Sequence, residues 1–330
     1  MRRSGLAWLS VLLLIVGCGP GTPSDAPLTK LTVGLGYIPS VQFAQFYRAK
    51  QQGYYAAAGL DVNFQNGNDA SLITLIAQGA DDIGIADGTS VIPAVGQGIT
   101  IRYVATMYAK FPNVVVAPAG RGINSAADLR GKRIGIPGPY GSSWIMLQAL
   151  LSSANLTTAD IVERDYPDYG QGVALQQGQV DAATAYHNNE PLQLGLAGFA
   201  TTELTVDQVV PLPGPGLIAG TATLAAKHDA LAAFVAATLR AMREIDANPQ
   251  VGLDDTIAEV PTLGADRPTQ LAILRATIEM WHSANTDAHG LGAIDSAGWT
   301  QSLNFMRGLP GSNIPATLSA DQLISTELLP

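Results

Sequence analysis

The stretch that most constrains the fold is residues 31–55, LTVGLGYIPSVQFAQFYRAKQQGYY, which reads as a strand, a tight turn and a helix. Its first residues alternate between apolar and small or polar side chains, which is the period of a strand. Ser40 predicts a helix N-cap, and the helix predicted over 41–52 carries aromatic residues on one face. Tyr37 is therefore expected at the carboxyl end of the first strand, where open parallel sheets bind ligands.

The alternation of strand and helix continues along the chain. Short apolar runs with the strand period are separated by helical segments and bounded by turn residues. Such alternation predicts a parallel sheet covered by helices on both faces. The further predicted strands are 60–64, 83–85, 101–106, 133–136, 162–165 and 181–185, and long helices are predicted at 224–248, 268–280 and 296–307.

Two stretches repeat one pattern, QGADDIGIAD at 78–87 and QGQVDAATAY at 177–186. Both read as a helix end, a glycine stop, an acidic residue and a buried strand. The repeat predicts two α/β lobes built alike, in which the first and third strands end at candidate ligand contacts. These contacts are Tyr37 and Asp87 in the first lobe and Tyr140 and Tyr186 in the second.

The N-terminal residues have the pattern of a targeting segment rather than of the fold. Arg2 and Arg3 precede an apolar run that is too short to span a bilayer as a stable helix. We predict a signal peptide at 1–17, a lipidated Cys18 and a Gly/Pro/Ser-rich tether at 18–27. The protein is then expected at the cell membrane, lipid-anchored on the extracytoplasmic side. A plain secretory signal with an incidental cysteine is the alternative.

Composition excludes several classes of function. The chain has a formal net charge of −9 and one cysteine. An acidic chain without a basic run is not expected to bind nucleic acid. Because Cys18 is assigned to the lipid, no disulfide, cysteine nucleophile or cysteine metal site is expected in the folded part.

Three stretches resemble a known family: GYIPSVQFAQFYRAKQQGYYAAAGLDVNF at 36–64, LIAQGADDIGIADGTS at 75–90 and AYHNNEPLQL at 185–194. They are similar to the NMT1/THI5-like solute-binding proteins of ABC importers. The resemblance implies a type II periplasmic-binding-protein fold, with two α/β lobes joined by a two-crossing hinge and closing on a ligand. It also implies an ABC permease and its ATPase as partners.

The resemblance and the strand pattern together predict the domain boundaries. Residues 28–114 are expected to form the first part of lobe 1, and residues 115–216 lobe 2. Residues 217–330 are expected to complete lobe 1 as a mostly helical part. The hinge crossings are predicted near 113–117 and 213–218.

The predicted cleft loops favour one ligand class among those that the family binds, which are thiamine pyrimidine precursors, riboflavin, alkanesulfonates, taurine and nitrate. The loops contain no Arg or Lys, whereas a sulfonate or nitrate needs a cation or several aligned donors. Aromatic faces with acceptors and amides suit a flat heterocycle. We therefore predict riboflavin, with a thiamine pyrimidine precursor as the alternative. The predicted ligand contacts are Tyr37, Asn68, Asp87, Thr89, Tyr140, Ser142, Ser143, Tyr186, Asn188 and Glu190.

Each of these contacts has a purely structural alternative. Tyr140 could cover the sheet edge, Asp87 could cap the following helix at Ser90, and residues 188–190 could be a polar turn before Pro191.

Catalysis is not expected. The chain shows no Ser-His-Asp order, metal-ligand spacing, Walker loop or complete G-x-G-x-x-G motif, so no enzyme activity, metal or cofactor is predicted. The family also contains a pyrimidine synthase that consumes its own histidine, and secretion would separate this chain from that chemistry. An adhesion or structural lipoprotein is a further alternative, against which the alternating strand and helix order argues.

Overall fold

The structure, a computed structural model, describes residues 27–67, 69–206, 212–309 and 311–330. Ten strands in these ranges form two five-stranded sheets, and helices pack against each sheet. The predicted organisation into two α/β lobes is therefore confirmed, each lobe being one sheet with the helices that contact it.

The first sheet has the strand order β2-β1-β3-β10-β4 and the second β7-β6-β8-β5-β9. The first consists of β1 (Thr29–Leu35), β2 (Leu60–Asn66), β3 (Ile83–Asp87), β4 (Ile101–Thr106) and β10 (Pro215–Gly220). The second consists of β5 (Asn113–Pro118), β6 (Arg133–Ile136), β7 (Val162–Asp165), β8 (Ala182–Tyr186) and β9 (Thr201–Thr205).

Twelve α-helices lie in the described ranges. They are α1 (Ala44–Gln51), α2 (Tyr54–Ala57), α3 (Asp69–Ala77), α4 (Gly88–Gly96), α5 (Gly141–Ser153), α6 (Gln171–Gln176), α7 (Glu190–Leu196), α8 (Thr221–Ala247), α9 (Pro249–Glu259), α10 (Arg267–Trp281), α11 (Ala284–His289) and α12 (Ser296–Arg307). Short 3₁₀ turns lie at Val41–Phe43, Ala126–Leu129, Thr158–Asp160, Pro261–Asp266 and Ala320–Gln322.

The two sheets follow one plan, as the sequence repeat predicts. In the first sheet β1 lies between β2 and β3 and is parallel to both, and in the second sheet β6 lies between β7 and β8 in the same way. The repeated acidic residue also acts alike in both lobes. The Asp82 carboxylate accepts from the Thr32 N–H at 2.9 Å and the Asp181 carboxylate from the Arg133 N–H at 2.9 Å. Each aspartate thereby fixes the start of its third strand against the first strand.

The prediction of purely parallel sheets is wrong. Strand β10 runs antiparallel to β3 and β4, and β5 runs antiparallel to β8 and β9. In the chain, β5 comes directly after β4 of the first sheet, and β10 comes directly after β9 of the second sheet. Each of the two strands therefore enters its sheet from the other lobe, and it runs opposite to its neighbours. The apolar runs of β5 and β10 are completely buried apart from Pro118, which is why they lie inside a sheet.

The predicted crossings at 113–117 and 213–218 fall mainly on strands β5 and β10 themselves. The chain leaves the first sheet after Thr106 and joins the second at Asn113, and it leaves the second after Thr205 and rejoins the first at Pro215. The predicted lobe boundaries at 114/115 and 216/217 therefore cut these strands. We propose that the boundaries follow the sheets, with the first connection at 107–112 and the second between β9 and β10.

The first helix begins and ends as its residues predict. The Ser40 hydroxyl accepts from the Gln42 N–H at 3.3 Å, which makes Ser40 the N-cap of the opening 3₁₀ turn. Gly53 has φ of 69°, the left-handed conformation that glycine adopts without strain after a helix. In β1, the strand that precedes this helix, a Cβ at Gly34 would lie 2.1 Å from the Leu72 side chain. Only glycine at this position therefore lets α3 pack so closely on the strand.

The C-terminal helices pack on the first lobe and hold α1 in place. The Phe234 ring of α8 stacks on Tyr55 at 4.9 Å and on Phe46 at 6.1 Å between ring centroids. Arg48 of α1 forms ion pairs with Glu244 of α8 at 2.6 Å and Asp255 of α9 at 2.7 Å. The loop between β1 and α1, which carries Tyr37, is thus attached to a fixed helix.

Some predicted features lie outside the described residues. They are the signal peptide at 1–17, Cys18, the tether up to residue 26, and Asn68. Among the helices that the structure describes, none combines the length and the apolar character needed to cross a bilayer.

Candidate functional site

A cavity of about 90 Å³ lies between the two sheets. Strands β1, β3, β6 and β8 all end at it, so it occupies the carboxyl edge of both sheets. This is the edge at which open α/β sheets bind ligands, because no side chain of a strand fills the crevice there. The cavity is lined by Gly36, Tyr37, Gln42, Phe43, Ile85, Ala86, Asp87, Tyr108, Pro137, Tyr140, Gly141, Ser142, Ser143, Tyr169, Gln171, Ala185, Tyr186, Asn189, Glu190 and Pro215.

Asp87, at the end of β3, connects the lobes across the cavity. Its Oδ2 accepts from Ser142 Oγ at 2.5 Å and from the Tyr186 hydroxyl at 2.8 Å, both from the second lobe. Its Oδ1 is buried and has no hydrogen-bond partner. Burial raises the pKa of Asp87, although the two hydrogen bonds act in the opposite direction. Asp87 precedes α4 but makes no side-chain cap hydrogen bond, so the capping alternative is not supported.

Asn113 positions the two serines at the start of α5. Its Nδ2 donates to Ser142 Oγ at 3.1 Å, and its Oδ1 accepts from Ser143 Oγ at 2.9 Å. Asn113 is itself buried at the first position of β5. Helix α5 begins at Gly141, so Gly141 and both serines belong to its first turn.

Tyr37 and Tyr169 meet across the cavity. Their ring centroids are 4.7 Å apart and the rings are nearly perpendicular, an edge-to-face arrangement. The Tyr169 hydroxyl donates to the Gly36 carbonyl at 3.4 Å, and Asn189 Nδ2 donates to the Tyr37 hydroxyl at 3.4 Å. Burial, followed by the nearby Glu190 carboxylate, raises the pKa of Tyr37.

The backbone of Tyr169 is strained. Its φ of 61° lies in the left-handed region, which bulky residues rarely adopt. Asn155 is the other non-glycine residue with positive φ in the described ranges, and it lies away from the cavity lining. Strain of this kind concentrates at functional sites, where surrounding contacts hold it.

Tyr140, Tyr186 and Glu190 form the second-lobe wall. The Tyr140 hydroxyl donates to the Pro137 carbonyl of its own loop at 3.2 Å. Glu190 Oε2 accepts from the Tyr186 N–H at 2.9 Å, and burial raises the pKa of Glu190. Residues 188–190 are therefore more than a polar turn, because Glu190 is the first residue of α7 and faces the cavity.

Gln171 contributes a polar group to the same wall. Its Nε2 donates to the Thr184 carbonyl at 3.2 Å. Because that carbonyl can only accept, the remaining amide atom of Gln171 is the oxygen, and this Oε1 is buried without a partner.

Two predicted contacts do not line the cavity. Asn188 is buried behind it, where its Nδ2 lies 2.8 Å from Thr277 Oγ1 and 3.1 Å from Gln42 Oε1. It joins the second lobe to α10 and to the first turn after β1. Thr89 is fully buried inside α4 and is not among the residues that line the cavity. Asn68 lies outside the described residues.

Seven predicted contacts do line the cavity: Tyr37, Asp87, Tyr140, Ser142, Ser143, Tyr186 and Glu190. Their role in binding a ligand stays a prediction. The contacts missed from the sequence are Gln42, Phe43, Tyr108, Tyr169, Gln171 and Asn189. Tyr108 follows β4 and Tyr169 follows β7, so the rule that placed Tyr37 also applies to them.

Among the residues that the structure describes, no positively charged side chain lines the cavity. Two carboxyl groups, from Asp87 and Glu190, stand among five tyrosines and several amides and hydroxyls. Within the described ranges, no group of three His, Cys, Asp and Glu side chains could hold a metal ion. The arrangement offers aromatic surfaces together with hydrogen-bond acceptors.

Comparisons with known proteins agree with this architecture. The chain is 32% identical over 340 aligned residues to riboflavin-binding protein RibY of Chloroflexus aurantiacus, covering 97% of this chain and 95% of that protein. It is 26% identical to the formylaminopyrimidine-binding protein of Halalkalibacterium halodurans, covering 91% and 92%. Shorter matches include proteins named as synthases of a pyrimidine phosphate.

The fold has solved relatives as well. The periplasmic aliphatic sulphonate binding protein SsuA of Escherichia coli superposes with a TM-score of 0.68 at 16% identity, covering 90% of this chain and 97% of that one. This likeness shows the predicted periplasmic-binding-protein fold. The family profile described as NMT1/THI5 like matches residues 40–251. The chain therefore belongs to the NMT1/THI5-like family.

Proposed function

We propose that this protein is the substrate-binding lipoprotein of an ABC importer, and that it captures riboflavin between its two lobes and delivers it to the permease. The observation that carries the proposal is the cavity itself, which combines five tyrosines with hydrogen-bond acceptors and has no cation in its lining. Similarity over nearly the whole chain to a protein named for riboflavin binding supports the same ligand.

The side chains around the cavity suit a flat ring with polar edges. Tyr140 and Tyr186 are proposed to stack on the ring system, which contributes about 0.5–1.5 kcal/mol beyond area burial for an aromatic pair. Asp87, Gln171 and Glu190 are proposed to accept from ring N–H and ribityl O–H groups. Asn188, expected from the sequence to contact the ring edge, is instead proposed to hold the lobes together behind it.

The size of the cavity bears on how the ligand enters. Drug-sized ligands occupy pockets of roughly 300–1,000 Å³, whereas this cavity measures about 90 Å³. Riboflavin therefore requires the lobes to stand further apart than they do here. Two of the longest hydrogen bonds across the cavity, Asn189 to Tyr37 and Tyr169 to Gly36 at 3.4 Å, are expected to give way first.

A thiamine pyrimidine precursor is the second candidate. A pyrimidine is smaller than a flavin and needs less widening of the cavity, and one relative is named for binding formylaminopyrimidine. The aromatic walls and acceptors would serve an aminopyrimidine in the same way.

A ligand panel tests the proposal. Purified protein is mixed with riboflavin, formylaminopyrimidine or an alkanesulfonate, the melting temperature is measured, and the ligand is then recovered and identified. A binding protein should be stabilised by its ligand and return it unchanged. We expect riboflavin to raise the melting temperature most. A larger rise with formylaminopyrimidine would favour the second candidate, and a consumed ligand would indicate an enzyme.

A further inference from the structure

The position of Asp87 is where a bound anion would be expected. Asp87 directly precedes the first turn of α4, and it accepts from Ser142 in the first turn of α5. Helix N-termini carry a partial positive charge and free N–H groups, so they attract anions. The Asp87 carboxylate lies beside these two helix starts, where it is held by the Ser142 and Tyr186 hydroxyls rather than by backbone N–H groups, and the residue is only 3% exposed.

Two hydrogen-bond acceptors of the cavity lining, one of them on Asp87 itself, accept no hydrogen bond from the described part of the chain. Asp87 Oδ1 and Gln171 Oε1 both belong to residues of the cavity lining, both are buried, and neither has a hydrogen-bond partner. A buried polar atom without a partner is costly, and a ligand donor would remove that cost. Both groups can only accept when Asp87 is ionised, so the site calls for N–H or O–H donors.

No cation is available to offset a second negative charge. Glu190 adds another carboxyl group to the lining, and Lys, Arg and His are absent from it. Several basic side chains elsewhere are engaged with other acids, as in the pairs Arg48–Asp255, Arg133–Asp181 and Lys227–Asp82. The hydrogen bonds from Ser142 and Tyr186 favour the ionised form of Asp87 against the effect of burial, and a phosphate or sulfonate entering the cavity would then meet like charge in surroundings with little water.

We infer that Asp87, supported by Glu190, is the residue that makes this site reject anionic ligands and accept uncharged ligands rich in N–H and O–H donors. The inference rests on the proposed function and deepens it, because it predicts that riboflavin is bound and riboflavin 5′-phosphate is excluded. Asp87→Asn should weaken this exclusion. The amide keeps an oxygen for Ser142 and Tyr186 but removes the negative charge.

The two flavins provide a matched pair of probes, since they share one fluorescent ring and differ by the phosphate. Quenching titrations with the full-length protein compare both flavins on wild type, Asp87→Asn, Glu190→Gln and the control Asp168→Asn. Asp168 is an exposed carboxylate next to Tyr169 of the cavity lining, and an asparagine there keeps an oxygen that can accept from the Gly170 N–H, so its variant reports the effect of net charge alone. Melting temperatures of all variants check that each is folded.

For wild type we expect riboflavin 5′-phosphate to bind at least about a hundredfold more weakly than riboflavin. Asp87→Asn should reduce this ratio by about tenfold or more, Glu190→Gln by less, and Asp168→Asn should leave it unchanged. Equal affinity of wild type for both flavins would overturn the inference while leaving the proposed function intact. So would a ratio that Asp87→Asn does not change in a folded protein.

If neither flavin binds, the proposed riboflavin function fails. The inference is then decided with 4-amino-5-hydroxymethyl-2-methylpyrimidine and its phosphate ester, followed by melting temperature on the same variants. Stabilisation by the free pyrimidine alone would support it, and equal stabilisation by both would overturn it.

Discussion

Asp87 uses one carboxyl oxygen to join the two lobes, and its other oxygen, buried without a partner among the described residues, is the one proposed to accept from a ligand. The bond to Tyr186 is important because it depends on how far the lobes have closed. A ligand that donates to the remaining oxygen would favour arrangements that keep the Asp87–Tyr186 bond over those in which the lobes stand fully apart. Differential binding of this kind is what a hinged binding protein needs in order to respond to its ligand.

Tyr186→Phe tests this connection. The variant keeps the ring for stacking but loses the hydrogen bond to the buried Asp87, a loss that costs about 1–3 kcal/mol. We expect riboflavin affinity to fall roughly tenfold per 1.4 kcal/mol lost, measured by flavin quenching. Tyr140→Phe is the matched control, because the Tyr140 hydroxyl donates to its own loop, and it should have a much smaller effect. Equal losses in both variants would contradict a role for the bond to Asp87.

Tyr169→Gly separates strain from binding. Glycine adopts φ of 61° freely, so the variant releases left-handed strain of about 1–3 kcal/mol while removing the ring that packs on Tyr37. We expect a nearly unchanged melting temperature and clearly weaker riboflavin binding. Asn155→Gly, at φ of 55° and away from the cavity, should raise the melting temperature and leave binding unchanged. Unaltered binding in Tyr169→Gly would show that Tyr169 is a structural residue only.

At the level of elements, the sequence predicted correctly those strands and helices whose caps and apolar periodicity lie within the element itself. The capped helix after Ser40 and the helix Ser296–Arg307 are examples. The antiparallel direction of β5 and β10, the two strands that follow a strand of the other lobe in the chain, was not predicted. Their direction depends on which lobe the chain has just left, and no local periodicity encodes that. Strand β9 was missed because its alternation of threonine with Glu203 and Leu204 resembles a loop.

The residues of the site were also predicted only in part, because some of their positions depend on how distant elements pack. Residues at strand ends, such as Tyr37, Asp87 and Tyr186, follow from the rule for parallel sheets. Gln171 reaches the cavity from the start of α6, which depends on how that helix packs against the strands of its own sheet. Asn188 was misplaced because neighbouring residues in a turn point in different directions, and here Asn189 and Glu190 take the cavity side.

The ion pair between Arg133 of β6 and Asp181, the residue before β8, should make the stability of the folded protein depend on pH. Hydrogen bonds from the Arg133 side chain lower the pKa of Asp181 to about 2. A lowered pKa in the folded state stabilises the protein above the ordinary aspartate pKa near 3.9, and this stabilisation is lost as the pH falls towards 2.

Asp181→Asn should therefore lower the melting temperature at pH 7, and its difference from wild type should shrink between about pH 5 and pH 2. Both partners are partly exposed, so the loss is expected to be at most about 1 kcal/mol. Asp61→Asn, at an exposed position of β2, is the control and should show no such trend. A difference that grows as the pH falls would reverse the predicted sign.

For the whole molecule, we propose that the lobes are tethered to the membrane through Cys18. The proposal rests on the apolar run ending at a single cysteine and on the Gly/Pro/Ser-rich residues after it. Several lipid chains together anchor a protein durably, because each buried methylene adds about 0.8 kcal/mol.

Cys18→Ser should move the protein from the membrane to the soluble fraction without changing riboflavin affinity, since the tether precedes the folded lobes. Fractionation of cells followed by immunoblotting measures the first effect and flavin quenching the second. A variant that stays with the membrane as wild type does would contradict lipidation at Cys18.

The central claim is that the cavity between the lobes binds a flavin, and a titration of riboflavin fluorescence tests it most directly. Stacking against Tyr140 and Tyr186 should quench the flavin strongly, and quenching should saturate at a single flavin per chain. The account predicts saturable quenching at micromolar protein, reduced in Tyr186→Phe. Riboflavin that keeps its free-solution fluorescence, while formylaminopyrimidine raises the melting temperature, would contradict the flavin assignment.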